Sequence, residues 1–137
     1  MSAENLAYTL VQVVHNFGAA TVVGAAIAAF WPSRQGQAAQ RRLAWLLFAG
    51  WAAQAISGTL FGAVSLHFYG QPPDIHGVAV AALVVKIGCA VAGFLCAASF
   101  LRFSSHWSDA ARWRCWRALA AFGVLALTAA AFLRWYA

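Results

Sequence analysis

Two side chains that can ligate a metal or carry a proton, His15 and Lys86, lie inside long apolar stretches of the sequence. His15 is part of "TLVQVVHNFGAATVVGAA" (9–26), where Gln12 and Asn16 accompany it. Lys86 is the only charged residue in "VAVAALVVKIGCAVAG" (78–93). An imidazole can ligate haem iron or a transition metal, and a neighbouring amine can donate a hydrogen bond or a proton. Unpaired polar groups are very unfavourable in hydrocarbon, so such residues are expected to face the protein interior.

The composition indicates that these apolar stretches lie in a lipid bilayer. Of the 137 residues, 64% are hydrophobic and only 9% are charged, and the mean hydropathy is +0.72. A soluble domain usually carries about 25% charged residues. The sequence therefore predicts an integral membrane protein. The net charge of +6 is then a topology signal, not a sign of nucleic-acid binding.

Four apolar runs are long enough to cross a bilayer, whose core of about 30 Å needs about 20 helical residues. They cover residues 6–31, 43–66, 78–101 and 115–133. The breaks are a polar segment at 32–42, "HFYGQPPDIHG" at 67–77, and a polar, aromatic segment at 102–114, where Ser108 or Asp109 is a candidate N-cap. The predicted fold is all-α: one domain, 1–137, forming a four-helix transmembrane bundle.

The distribution of basic residues predicts the orientation. The segment between the second and third spans has no Lys or Arg, and Arg134 is the one basic residue near the C-terminus. Seven arginines lie in or beside the first and third connections: Arg34, Arg41, Arg42, Arg102, Arg112, Arg114 and Arg117. By the positive-inside rule these connections are cytoplasmic. Both termini are then expected outside, in the periplasm for a multi-pass protein of a bacterial inner membrane.

Counting along the helices predicts that His15 and Lys86 meet. His15 lies nine residues into the first run and Lys86 eight residues after Val78. At 1.5 Å per residue both depths are about 12–13 Å, so one polar site in the outer half of the bundle is expected. Gly58 and Gly62 of the second run lie at a similar or shallower depth. They would permit either close helix packing or the approach of a flat macrocycle.

Three functions are compatible with these residues. In the first, His15 ligates haem b, Gly58 and Gly62 accommodate the ring, and Lys86 is a sixth ligand or a counter-ion to a propionate. His67, His76 and Tyr69, near the outer surface, could then meet the propionates. In the second, copper binds a three-histidine site of His15, His67 and His76. In the third, the protein is a non-catalytic subunit that anchors or stabilises a larger membrane complex.

Other reaction classes are disfavoured by the sequence. The three carboxylates are far apart in the predicted topology, which excludes a stand-alone hydrolase, and any enzymatic role would be that of an oxidoreductase component. The three cysteines form no Cys-x-x-Cys pair and are expected to be small buried hydrophobes. Expected partners are membrane lipid, other membrane or periplasmic redox proteins, or further copies of the chain, and no nucleic acid.

Two stretches carry a resemblance to known membrane proteins. "VHNFGAATVVGAA" resembles the first helix of CopD-type copper-resistance proteins, and "ISGTLFGAVSLHFYG" with "HGVAVAALVVKIGCAVAG" is similar to their glycine-bearing helix, outer loop and lysine-bearing helix. HemJ-type protoporphyrinogen oxidases share the four-helix plan, the first-helix histidine and the later lysine. The resemblance implies a four-helix membrane bundle with His15 and Lys86 at the positions these families use, and it implies haem b near His15.

Overall fold

The computed structural model describes residues 2–31 and 36–136, and these form four long helices. They are α1 (Ala3–Ala28), α2 (Gln37–Tyr69), α3 (Val78–Phe103) and α4 (Asp109–Tyr136), with a single 3-10 turn (Ser104–His106) before α4. No strand occurs within the two described ranges. All four helices are long and apolar enough to cross a membrane. The predicted all-α architecture with four candidate spans is confirmed.

Local sequence explains where the helices begin and end. The Ser2 hydroxyl caps α1 by accepting a hydrogen bond from the Asn5 N–H at 3.2 Å. Gly70 ends α2 in a left-handed conformation (φ 70°) that a glycine adopts without strain. The Ser108 hydroxyl accepts from the Ala111 N–H at 3.2 Å, so the prediction of an N-cap at this point is confirmed.

Two helices extend well beyond the apolar runs that predicted them. Helix α2 begins at Gln37 instead of 43, and α4 begins at Asp109 instead of 115. Apolar length reports the part of a helix that lies in hydrocarbon, whereas the polar ends continue because arginines satisfy nearby carbonyls. The Arg41 guanidinium donates to the Leu101 carbonyl at 3.1 Å, and that of Arg112 donates to the Ser104 carbonyl at 3.1 Å.

The helices run up and down, and consecutive helices pack against one another. Contacts are most extensive within the α1–α2 and α3–α4 pairs, while α2–α3 and α1–α4 contacts close the bundle. We call the end that contains both termini and the α2–α3 loop the termini end, and the opposite end the arginine end. Six of the seven arginines used to predict orientation belong to the arginine end, and Arg34 lies outside the described residues.

The two halves of the bundle are packed differently. The arginine half contains the five largest fully buried side chains, Leu47, Trp51, Phe100, Trp116 and Leu119. Buried positions toward the termini end are mostly small, and they include Ser65, Ala79, Ala82 and Ala129. Large interdigitating side chains make a rigid core, so the arginine half holds the helices together. The termini half has fewer large groups to fill the space between helices.

Glycines set the closest approaches between helices. A Cβ atom added to Gly18 would lie 2.9 Å from the Gln54 amide nitrogen, and one added to Gly50 would lie 3.0 Å from Val22 Cγ2. On α3, a Cβ atom at Gly93 would lie 2.3 Å from Trp51 Cε2. These positions therefore allow α1 to approach α2 and the Trp51 indole to rest on α3.

Candidate functional site

His15 and Lys86 meet inside the bundle, as counting along the helices predicted. The Lys86 Nζ atom lies 2.8 Å from His15 Nε2. Helices α1 and α3 do not share an extensive interface, so the long lysine side chain makes this contact across the bundle. His15 is twelve residues from the start of α1 and Lys86 eight residues from the start of α3. The contact is thus central on α1 and closer to the termini end on α3.

A chain of hydrogen bonds determines which nitrogen of His15 carries a proton. The Ser57 hydroxyl donates to the Ala53 carbonyl at 2.5 Å, and it lies 2.7 Å from His15 Nδ1. Since the one hydroxyl hydrogen is used on Ala53, His15 Nδ1–H must be the donor to Ser57. A neutral His15 then keeps its lone pair on Nε2, which accepts a hydrogen bond from Lys86. Nε2 is therefore the atom of this imidazole that could ligate a metal.

Helix α2 fixes the backbone and the ring of His15. The Gln54 side-chain amide donates to the His15 carbonyl at 2.5 Å, and it reaches this carbonyl because Gly18 leaves room for it. Phe61 packs edge-on against the imidazole with the ring centroids 5.5 Å apart. Ser57 is fully buried. One face of α2 therefore supplies a hydrogen bond to the His15 carbonyl, an acceptor for Nδ1 and an aromatic wall.

Gly58 and Gly62 border open space instead of a packed interface. A Cβ atom added at either position would meet nothing within 4 Å. Both glycines lie on the same face of α2 as Trp51, which precedes them by seven and eleven residues, and Ser65, which follows them by seven and three. Trp51 and Ser65 are both buried. The prediction that this glycine pair could pack helices is not realised within the chain, because Gly18 and Gly50 make the close crossing. The alternative, room for a flat group, is compatible with the structure.

His67 and His76 lie away from His15. Ser57, which contacts the His15 ring, is ten residues before His67 on α2, a rise of about 15 Å. His67 packs against Phe68, and His76 pairs with Asp74 at 3.3 Å in the exposed α2–α3 loop. No group of three His, Cys, Asp or Glu side chains suited to a metal ion occurs among the residues that the structure describes. The expected three-histidine copper site is not assembled here.

The remaining polar residues of α1 point elsewhere. Gln12 and Asn16 are exposed and bond to each other, with the Gln12 amide donating to the Asn16 side-chain oxygen at 2.6 Å. The expectation that all three polar residues face the interior therefore holds for His15 alone, because the two amides bond to each other on the exposed face. Tyr69 donates a hydrogen bond to Glu4 at the termini end. Glu4 precedes His15 by eleven residues on α1, so Tyr69 lies away from the His15 ring.

Sequence reasoning gave Gln54 no role beyond interhelical hydrogen bonding, which the structure confirms, and gave Ser57 no role at the site. The available signal was a pair of polar residues, three apart, within an apolar run and at the depth of His15. That spacing places both on one helix face, which can present two hydrogen-bonding groups to a single neighbouring residue. The rotation of α2 about its axis, which turns this face toward α1, could not be predicted from the sequence.

The side chains at the site can ligate a metal or transfer a proton, and the three carboxylates lie elsewhere. Glu4 lies at the termini end, Asp74 in the α2–α3 loop, and Asp109 beside Arg112 at the arginine end. None of these carboxylates can act as a base for a nucleophile at His15. The fourth histidine, His106, is at the arginine end, where its Nδ1 contacts the Ser105 hydroxyl at 3.1 Å.

Known proteins offer no further assignment. No protein-family model, curated protein or solved structure matches this chain.

Proposed function

We propose that this protein binds haem b in the membrane and serves as a redox or electron-transfer component, with His15 as an iron ligand. The single observation that carries the proposal is the orientation of His15. Its Nδ1–H is engaged by Ser57, and its Nε2 lone pair is directed into the bundle toward Lys86. Iron-ligating histidines need this arrangement, in which one ring nitrogen is held by a hydrogen-bond acceptor and the other is free to ligate.

The surroundings of His15 are compatible with a haem group. Gly58 and Gly62 leave open space on the neighbouring face of α2, and the buried residues of the termini half are mostly small. His15 of α1 and Lys86 of α3 are the residues that would hold the iron. The two nitrogens, now 2.8 Å apart, would have to separate to admit it. The haem would supply one-electron redox chemistry, and its potential would depend on these ligands and on burial.

The proposal includes an orientation and a location. The arginine end would face the cytoplasm, and the termini end would face the periplasm of a bacterium that holds the protein in its inner membrane. Electron partners would be membrane or periplasmic redox proteins that approach the loop containing His76. The copper alternative would require His15, His67 and His76 to converge, and their present separation does not favour it.

The test is a dithionite-reduced minus oxidised absorption spectrum of detergent-purified protein, with metal analysis of the same sample. We expect a stoichiometric b-type Soret and alpha band. His15→Ala should abolish haem retention, whereas His106→Ala should leave it intact because His106 lies at the opposite end of the bundle. Equal behaviour of the two variants would contradict the site.

Two other results of the same measurement would reject the haem proposal. A colourless protein containing copper would favour the copper alternative, and the loss of copper in His67→Ala or His76→Ala would identify its ligands. A colourless, metal-free protein would leave the role of a subunit that anchors or stabilises a larger complex.

A further inference from the structure

Two of the three cysteines face each other across the α3–α4 interface. Cys96 of α3 and Cys115 of α4 have their Sγ atoms 3.0 Å apart. Each thiol also lies near the other residue's carbonyl oxygen, at 3.9 Å from Cys96 Sγ and 3.8 Å from Cys115 Sγ. These reciprocal contacts mean that the two residues are directly opposite each other and that the helix backbones approach closely at this level.

We propose that Cys96 and Cys115 form a reversible disulfide that links α3 to α4, while Cys89 remains a free thiol. A disulfide has an S–S distance of about 2.05 Å, so the two sulfurs need to approach by about 1 Å. Cys89 lies seven residues before Cys96 on α3, about 10 Å along the helix axis, and has neither cysteine as a contact. This proposal depends on the packing of α3 against α4 and is independent of any cofactor at His15.

The oxidant must be small and uncharged, because the thiols lie within the apolar interface. Cys115 belongs to the buried core cluster, and Cys96 packs against it. Hydrogen peroxide meets this requirement. One thiol attacks a peroxide oxygen, the O–O bond breaks, and a sulfenic acid and one water form. The second thiol attacks that sulfur, the S–S bond forms, the S–O bond breaks, and the hydroxyl group leaves as a second water after taking up the thiol proton.

The bridge would change the arginine end of the bundle. It closes the segment 96–115, which contains the end of α3, the turn Ser104–His106 and the start of α4. Arg112 already holds this segment by donating to the Ser104 carbonyl at 3.1 Å. A covalent link would prevent α3 and α4 from separating or sliding there, and it would restrict the unfolded chain. Oxidised protein should therefore unfold at a higher temperature than reduced protein.

The experiment counts free thiols before and after oxidation. The full-length protein in detergent is reduced with dithiothreitol, desalted, treated with hydrogen peroxide, denatured and labelled with a maleimide, and its intact mass is measured. We expect three labels before oxidation and one after it, a mass loss of two hydrogens before labelling, and recovery of all three labels with dithiothreitol. Peptide mapping should place the remaining label on Cys89.

Two variants supply matched controls. Cys89→Ala should fall from two labels to none, whereas Cys96→Ala should form no intramolecular bridge and show no rise in unfolding temperature after oxidation. Retention of all three labels in the wild-type protein would overturn the proposal. So would a bridge to Cys89, a sulfinic acid on either thiol without a bridge, or dimers on a non-reducing gel. If Cys96→Ala does not fold, the wild-type peptide map still decides the question.

Discussion

At the scale of single residues, the hydrogen bonds around His15 determine what its imidazole can do. In the bilayer interior no bulk water replaces a missing partner, so the direction of each hydrogen bond is set by neighbouring side chains. The Ser57 hydroxyl is committed to the Ala53 carbonyl and leaves only a lone pair for His15 Nδ1–H. The imidazole is thereby held with Nε2 as its acceptor atom, facing Lys86.

Ser57→Ala should weaken haem binding without removing the iron ligand. The substitution leaves His15 Nδ1–H without its acceptor, and losing such an outer partner typically lowers metal affinity about 10- to 100-fold. Titration of the apoprotein with haem measures the change. Ser65→Ala is the matched control, because Ser65 is buried on the same helix but donates to the Gln71 carbonyl. Equal losses in the two variants would mean that the effect comes from packing and not from His15.

Lys86→Leu should change the ligation of the iron and not its retention. A leucine at position 86 has no donor atom, so a variant that keeps His15 but loses Lys86 as an iron ligand should bind carbon monoxide when reduced. The visible spectrum with and without carbon monoxide measures this. Asn16→Leu is the control, since Asn16 is exposed and bonds to Gln12 instead of to the site. An unchanged Lys86→Leu spectrum would contradict ligation by the lysine.

At the scale of helices, glycines with the same local sequence environment have opposite roles. Gly18, Gly50 and Gly93 lie where another helix or an indole occupies the space of a missing Cβ atom. Gly58 and Gly62, in an apolar helix of the same kind, border open space. The role of each glycine therefore depends on the position at which two helices cross, and not on the glycine spacing itself.

Gly93→Ala should destabilise the bundle, whereas Gly58→Ala should not. The new methyl group at position 93 would lie 2.3 Å from Trp51 Cε2, and Trp51 is one of the largest fully buried side chains. Overpacking of this kind costs about 1–3 kcal/mol. The unfolding temperature in detergent measures the difference. Equal stability of Gly93→Ala and the wild-type protein would mean that the Trp51 indole can move away from α3.

At the scale of the whole molecule, the positive charge and the large buried side chains are concentrated toward the same end of the bundle. The arginine end combines six described arginines with the large buried side chains of the core. The termini end has small buried residues, Glu4 and Asp74, and a single arginine, Arg134. The half with large buried side chains and the half with small ones thus follow each other along the bundle axis. The His15–Lys86 contact lies between these two halves.

The charge asymmetry predicts which loops are reached from outside the cell. In a variant without its three native cysteines, a cysteine placed at His76 should react with a membrane-impermeant maleimide in intact cells. A cysteine placed at Ser105 should react only after the membrane is opened, because the positive-inside rule assigns the arginine end to the cytoplasm. Both residues are exposed in the structure. The reverse labelling pattern would contradict the proposed orientation.

The sequence alone was sufficient for the number of helices, their approximate limits and the meeting of His15 with Lys86. Apolar length, proline and glycine breaks, and arginine positions are local properties, and the rise per residue converts positions in the chain into depth. Hydropathy underestimated the lengths of α2 and α4 because it reports only the part of a helix that lies in lipid. The helix ends that extend beyond it are stabilised by arginine contacts with carbonyls on the neighbouring α3–α4 segment.

Only the tertiary structure decided which polar residues share a site and which glycines lie at helix crossings. Gln12, His15 and Asn16 lie within one third of a helix turn of each other, so a small rotation of α1 decides which of them faces inward. The same holds for Ser57, for Gly58 and for the opposed thiols of Cys96 and Cys115. Helix rotation and crossing are set jointly by all packed side chains, above all the large core of the arginine half, and no single segment encodes them.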